Sequence, residues 1–340
     1  MARIVRERGA HLPGAARYLV SAVGGFHFGA LAQATISLSL TSMNPLRPFA
    51  RDLGAWVRNR PALARLLLRC MPDWHIHVMV PTVGRMRVRL RRNRSYWLRA
   101  PLDLERYPMG MLRAMVRPEH TVWDVGANLG LYARWLVAVP DARRVVSFEP
   151  MSANLPELHY NLALGGVADR VSVVPWALSD TDGEVAFQVD DMQSASGTVN
   201  AVTGGEACRG RAAVGLPPLT ERVTSRTVDA ILQQGELPMP DVLKIDVEGA
   251  EHLLLCGGDR FFRESQPRLV IETHGLEVSK RCLEFLFDRG YHIAACVNPD
   301  WELSRFMRLQ RDALNRMVGM YDVTFIAASK NAAELPTRIT

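Results

Sequence analysis

Lysine is almost missing from this 340-residue chain: Lys244, Lys280 and Lys330 stand alone, and arginine supplies the rest of the 41 basic residues. The scarcity removes the Tyr-x-x-x-Lys pair of short-chain dehydrogenases, because Pro240, Leu276 and Ile326 stand four residues before the three lysines. No G-x-G-x-x-G follows the first core strand, which argues against an ordinary dinucleotide binder. Five cysteines (Cys70, Cys208, Cys256, Cys282 and Cys296) form no C-x-x-C pair and no metal-ligand spacing. An odd number scattered through apolar segments reads as reduced core thiols in a cytoplasmic protein. No run of 18 strongly apolar residues exists, so no stretch reads as a membrane span. Tyr18 to Leu46 carries no charge and follows four arginines, but Gly24-Gly25, His27 and Gln33 interrupt it. That leader is open to three readings: secretion signal, shallow membrane contact, or disordered lead-in.

What is present is an ordinary globular composition, 48% hydrophobic and 22% charged. The charge is lopsided. Residues 1–120 hold 20 arginines against 6 acids, a balance of +14, which leaves −8 for residues 121–340 of the overall +6. A basic front half suits phosphates, an acidic glycan or a membrane surface, or is simply a solvated arginine-rich face; an acidic back half suits a cationic cofactor. The length fits one α/β domain over 119–328, preceded by a leader (1–48) and an extension (49–118) and followed by a short tail (329–340). In the extension, Phe49 to Cys70 is helical in pattern around Pro61. Ile76–Val80 and Met86–Leu90 alternate as a β-hairpin, and Leu104–Val116 reads as a helix able to cap a pocket. Arg85, Arg87 and Arg89 share one face of the hairpin, which either meets an anionic acceptor or is wet.

From Thr121 strand and helix alternate, which predicts a doubly wound, mostly parallel sheet. Strands are expected at 122–126, 145–148, 171–175, 241–246, 268–272 and 291–296, with a last one at Tyr321–Ala327. Helices are expected at 129–138, 152–164, 227–234, 250–263 and 277–289. Residues 190–222 lack periodicity and read as a loop, preferably a substrate lid. The first strand ends in Asp124-Val125-Gly126-Ala127-Asn128-Leu129-Gly130, a glycine turn that brings backbone N–H groups close to a ligand. The second ends in Glu149-Pro150, 25 residues after Asp124 and near the roughly 20-residue interval at which an acid meets ribose hydroxyls. Asp124 can face a positively charged ligand group. The fourth strand ends in Asp246 and Glu248, and the fifth in Glu272-Thr273-His274. In an open α/β sheet these carboxyl ends share one crevice.

The motifs D-V-G-A-N-x-G (from Asp124), F-E-P (Phe148 to Pro150), A-L-S-D-x-D-G-E (Ala177 to Glu184) and L-K-I-D-V-E-G-A-E (Leu243 to Glu251) resemble, in that order, the FkbM family of S-adenosylmethionine-dependent methyltransferases. The resemblance runs from about Glu119 to about Phe325. It implies a class I, Rossmann-like methyltransferase fold with a terminal antiparallel strand, S-adenosylmethionine as cofactor, and methylation of a hydroxyl on a sugar or a glycosylated or polyketide-like metabolite. By that analogy Asp124, Gly126, Ala127, Asn128, Gly130, Glu149, Pro150, Trp176, Ala177, Asp180 and Asp246 hold the cofactor. Trp176 and Ala177 would lie near the adenine, with Asp180 accepting its amino proton; a solvated turn explains Asp180 equally well.

Methyl transfer from a sulfonium needs an aligned acceptor oxygen and a group that takes its proton. A neutral His274, or a carboxylate of raised pKa, suits that role, with Asp246, Glu248 and Glu272 beside it; His274 is preferred, with Asp246 or Glu248 orienting it or the substrate. Glu248 and Glu251 also suit a helix start on dipole grounds alone, and Lys244 reads as a neutraliser of the acids. The D-x-E…E-x-H spacing marks no particular metal, and no metal ligand is assigned. The acceptor is expected to be a small molecule or glycan, not nucleic acid, since no Asn-Pro-Pro-aromatic run ends the fourth strand. The rival readings are a nicotinamide-dependent oxidoreductase and a non-catalytic binding protein of the same fold.

Overall fold

The computed structural model describes residues 70–98, 101–191, 196–199, 209–213, 215–297, 305–313 and 323–336. They all fall within one compact unit, Ser37–Thr340. The leader at 1–48 and the helix expected over 49–70, Cys70 apart, lie outside the described residues, as does the end of the tail.

The extension opens with the expected hairpin, β1 (His75–Val80) and β2 (Gly84–Arg89), paired antiparallel from His75↔Arg89 to Val80↔Gly84. Its alternation buries Val78, Val80, Met86 and Val88. A short helix, α1 (Ser95–Leu98), and a longer one, α2 (Pro101–Met115), lead into the sheet. The core then runs β3 (Thr121–Val125), α3 (Leu131–Ala138), β4 (Arg144–Phe148), α4 (Leu155–Leu164) and β5 (Val171–Val174). Interior parallel strands are covered on both faces, which is why β3 and β4 read as nearly unbroken apolar runs.

Pro175 has no N–H for a ladder, and the chain leaves the main sheet there. It enters a second sheet: β6 (Trp176–Leu178), β7 (Gly183–Asp190), β8 (Ser196–Val199) and, after α5 (Arg209–Ala213), β9 (Leu219–Arg226), in the order β6-β9-β7-β8. The span expected to be a loop (190–222) is therefore part strand, at Asp190, Ser196–Val199 and the start of β9, and part helix, at α5, where it is described. Its strands were hidden because β9 buries only Val223 and Ser225, so it carries almost no apolar alternation. The main sheet resumes through α6 (Val228–Gln234), β10 (Val242–Ile245), α7 (Glu251–Gly257), α8 (Asp259–Glu264), β11 (Arg268–Glu272), α9 (Leu276–Asp288), β12 (His292–Val297), β13 (Arg305–Leu309) and β14 (Val323–Ser329). The single helix expected over 250–263 breaks at Gly258. Side chains are also excluded next to the break: a Cβ on Gly257 would stand 2.0 Å from the Ser179 carbonyl oxygen.

The eight strands lie in the order β13-β12-β14-β11-β10-β3-β4-β5. From β5 to β11 neighbours are parallel, and β14 slots antiparallel between β11 and β12. This is the doubly wound sheet with a late antiparallel strand that the class I resemblance implies. The chain reverses direction across the sheet between β3 and β10, and the carboxyl ends at that switch point form the crevice where such folds bind ligands. One apolar cluster (Met111, Leu112, Leu136, Leu158) covers one face of the sheet and a second (Leu254, Phe262, Leu283, Leu286) the other.

Two of the three residues on the arginine face of the hairpin, Arg87 and Arg89, are turned onto a buried carboxylate, while Arg85 is exposed. Arg87 Nε meets Glu157 Oε2 at 2.6 Å and Arg89 Nε meets Glu157 Oε1 at 3.2 Å, while His75 lies 2.6 Å from the same carboxylate. Asn161 pairs with both the N–H and the carbonyl of Arg87, and the Arg87 guanidinium stacks 3.5 Å over Tyr160. From α3, the buried Arg134 donates to the carbonyls of Val83 and Arg85. The hairpin is thus clamped onto α3 and α4 by charge-assisted hydrogen bonds.

Burial alone would raise the Glu157 pKa, but the hydrogen bonds from Arg87 and His75 outweigh it and hold the carboxyl below its ordinary value. A depressed folded-state pKa contributes stability that is complete above the unfolded value and is lost as pH falls through the folded one. Glu157→Gln should therefore destabilise the protein by about 1–2 kcal/mol near neutrality, the partners being partly exposed. Thermal unfolding of both proteins should show the gap closing as pH falls through and below the ordinary carboxylate range; a gap that stays constant would sink the clamp.

Candidate active site

The glycine turn after β3 is a set of close approaches. Gly126 has φ +80°, and a Cβ there would land 1.8 Å from the Asp246 carbonyl oxygen. Nothing larger fits between the ends of β3 and β10. The N–H groups of Gly126 and Ala127 are turned to the Phe148 carbonyl, while that of Asn128, itself at φ +49°, donates to Glu149 Oε2 at 2.7 Å. Glu149 also accepts from the Met151 N–H at 2.9 Å. Burial pushes its pKa up to about 7 against these hydrogen bonds.

Around the turn lies a cleft enclosing about 610 Å³, part of it open to solvent. Of the residues singled out in the sequence, Gly126, Asn128, Glu149, Pro150, Trp176, Ala177, Asp246 and Glu248 line it. Four others do not. Asp124 is fully buried, and the cation it meets is Lys244 rather than a ligand. Ala127 packs into the core, and Gly130 lets α3 lie against α4, where a Cβ would stand 2.7 Å from Leu158 Cδ1. Asp180 is exposed in the turn after β6, off the cleft lining, and its Oδ1 accepts from the Ser179 hydroxyl at 3.2 Å. In the same turn Asp182 binds the N–H and hydroxyl of Thr227 at the head of α6. Phe148, Asn154, Leu178, Phe187, Val247 and Ala250 line the cleft without having been foreseen. Phe187 is the instructive case, because the second sheet brings it there.

The pocket suits an adenosyl cofactor in chemistry as well as shape. Glu149 offers a carboxylate to a ribose diol, Phe148, Trp176, Leu178 and Phe187 offer apolar surface to a base, and Asp246 and Glu248 offer negative charge to a cationic end. Buried Lys244 organises that acidic end. Its ammonium lies 3.3 Å from Asp246 Oδ2 and 3.5 Å from Asp124 Oδ1, donates to the Gly126 carbonyl at 3.2 Å and sits 4.6 Å over the Tyr132 ring. Tyr132 in turn donates to Glu105 of α2. Burial lowers the lysine pKa, but Asp246 and Asp124 outweigh it and raise it, so the group stays charged. Asp124 is pushed up by burial and pulled back by Lys244.

His274, just beyond β11, gathers the strand-end acids. Its Nε2 lies 3.6 Å from Glu248 Oε2, 3.8 Å from Asp246 Oδ1 and 4.0 Å from Glu272 Oε1. The hydrogen bond, however, joins Nδ1 to Glu251 Oε1 at 2.7 Å, a partner the sequence had offered only as a helix-start acid. Burial disfavours the imidazolium, yet Glu251, Glu248 and Asp246 together raise its pKa well above the ordinary value. His274 is therefore charged near neutrality rather than neutral as expected. Glu272 is raised as well, by burial and by Asp246. Glu248 is held at φ +51°, a conformation L-residues seldom adopt outside constrained sites. Among the described residues no three His, Cys, Asp or Glu side chains converge as a metal site requires, and no helix is long and apolar enough to cross a membrane.

Sheet order, glycine turn, ribose-height carboxylate and acidic strand ends define a class I methyltransferase. The Methyltransferase FkbM domain pattern matches residues 124–293, half of the chain, and the protein belongs to that family, whose methyl donor is S-adenosylmethionine. Membership of a methyltransferase family runs against the oxidoreductase reading. Among relatives, the AMB antimetabolite synthetase AmbE of Pseudomonas aeruginosa is 29% identical over 46% of this chain, and the hexuronic acid methyltransferase AglP of Haloferax volcanii 28% over 52%. The chain spans 8% of the length of the first and 66% of the second. A crystal structure of methyltransferase FkbM from Methylobacillus flagellatus is 17% identical, with a TM-score of 0.40, over 64% of this chain and 47% of that one.

Two outcomes test the site. Lys244→Met leaves Asp124 buried without its cation and should cost about 3–5 kcal/mol in denaturant unfolding; a loss below about 1 kcal/mol would mean the pair is not buried as described. A ribose diol needs Glu149 ionised, so affinity for S-adenosylhomocysteine should fall as pH drops below about 7. The limiting slope is about tenfold per pH unit. Calorimetry across that range should show the slope, and Glu149→Gln should weaken binding and flatten it.

Proposed function

We propose that this protein transfers the methyl group of S-adenosylmethionine to a hydroxyl of a sugar or of a glycosylated or polyketide-like metabolite. The observation that supports this reading is that His274 Nε2 lies 3.8 Å from Asp246 and 3.6 Å from Glu248, two acids that line the cleft. The sugar class draws support from the relative named as a hexuronic acid methyltransferase, a name that describes that protein.

The bound cofactor supplies an electrophilic methyl on a sulfonium, which leaves as a neutral thioether. The protein's share is alignment and proton removal. Glu149 and the Gly126 turn hold the adenosyl half, while Asp246 and Glu248 present negative charge to its cationic end. The acceptor hydroxyl lies against His274 and loses its proton to Nε2 as its oxygen forms the new bond to carbon. His274 must first shed its own proton, and a positive charge entering beside Asp246 and Glu248 favours that loss by offsetting the acids that hold it.

Calorimetry with S-adenosylhomocysteine, followed by labelled-methyl assays on neutral sugars, amino sugars and uronic acids, tests the proposal. Micromolar binding and methylation of a hydroxyl are expected. His274→Ala should lower kcat by about 10²–10⁴ while affinity for S-adenosylhomocysteine stays within about twofold of wild type. Full turnover in that variant would remove His274 as the base, and methylation confined to nitrogen or carboxylate acceptors would overturn the hydroxyl reading.

A further inference from the structure

Glu251 stands apart from the other acids around His274. Its side chain is fully buried, whereas those of Asp246, Glu248 and Glu272 are 26%, 43% and 25% exposed. A buried carboxylate is costly to hold unless it is committed to partners. One oxygen, Oε1, has two: it accepts from the Gly249 N–H at 2.9 Å and meets His274 Nδ1 at 2.7 Å. The first bond secures the turn that presents Glu248; the second crosses from α7 to the segment after β11. An ionised carboxylate can only accept, so the proton in the second bond belongs to Nδ1. Nε2 is then the ring nitrogen left facing the crevice.

We propose that Glu251 is a positioning residue for methyl transfer: once the imidazolium has shed its Nε2 proton, Glu251 holds the ring in the Nδ1-protonated form, leaving Nε2 to take the acceptor's proton. This rests on His274 being the base. The logic is that of any buried acid behind a catalytic histidine: the acid does not touch the acceptor but sets the tautomer and aim of the ring that does. The groups facing His274 are Glu251 from α7, Asp246 and Glu248 from the turn after β10, and Glu272 from its own strand. Lys244 stands behind Asp246, and Cys282 of α9 lies near Glu251. With only acids at the ring, Glu251 also sets how tightly the imidazolium proton is held, and so where activity rises with pH.

Glu251→Gln keeps an oxygen acceptor in place and removes the charge, while Glu251→Leu removes both. The full-length protein, ¹⁵N-labelled at histidine and saturated with S-adenosylhomocysteine, reports the ring directly by long-range ¹H–¹⁵N correlation, with His274→Ala assigning the signals. Wild type should show a protonated Nδ1. The Gln variant should keep that tautomer while its titration midpoint falls by about one pH unit or more, and the Leu variant should populate both tautomers. With an acceptor in hand, the ascending limb of the pH–rate profile should move with the midpoint. The Leu variant should lose about tenfold or more in kcat with little change in KM. An unchanged tautomer and midpoint in the Leu variant, with His274→Ala inactive, would overturn the assignment of Glu251 alone. Full kcat in His274→Ala would overturn the base reading and this proposal with it.

Discussion

The buried ammonium of Lys244 ties the two halves of the site to each other and to the extension. It stands on β10 directly opposite Asp124 of β3, and no other lysine occurs in the sheet's central strands. Desolvating such a cation costs several kcal/mol unless carboxylates and carbonyls surround it. Asp124, Asp246 and the Gly126 carbonyl do so, which draws the glycine turn and the acidic strand end together. Because Oδ2 of Asp246 is held by the lysine, Oδ1 is the oxygen turned toward His274. Tyr132 lies under the ammonium and donates to Glu105, so helix α2 of the extension closes the same network.

That coupling gives the extension a structural meaning. The excess positive charge of the front half is spent partly inside the molecule: Arg87 and Arg89 meet a buried glutamate of α4, and Arg92 meets Asp73. Charge that looks in the sequence like a surface for anions is, at these positions, the means by which a small hairpin docks on the catalytic fold. The second sheet does related work on the other side. Its Phe187, Val189 and Val223 pack with Met151, Ala177 and Ala250, and of these Phe187, Ala177 and Ala250 line the cleft.

The core strands, the glycine turn and the strand-end acids were legible because each depends on a few consecutive residues. An apolar run with both faces buried, a glycine where no Cβ fits, and an acid at a strand's end leave local marks. The alternation of β1 and β2 was legible for the same reason. The strand β9 was not, since its inward face holds one apolar side chain. The break at Gly258 was not, because a helix pattern runs through it without a proline. Asp124 was read as facing a ligand because its cation lies 120 residues away on the neighbouring strand.

By itself, then, the sequence determined the doubly wound fold, the glycine turn after β3, the acid that ends β4, and the family to which these belong. Tertiary structure alone decided the charge partners: Lys244 for Asp124, Glu157 for the hairpin arginines, Glu251 for His274. The division has a physical cause. Backbone turns and buried strands follow from the sterics and hydropathy of neighbouring residues, whereas a buried charge is satisfied by whichever opposite charge or hydrogen-bond partner the packing of distant elements brings within about 3–4 Å.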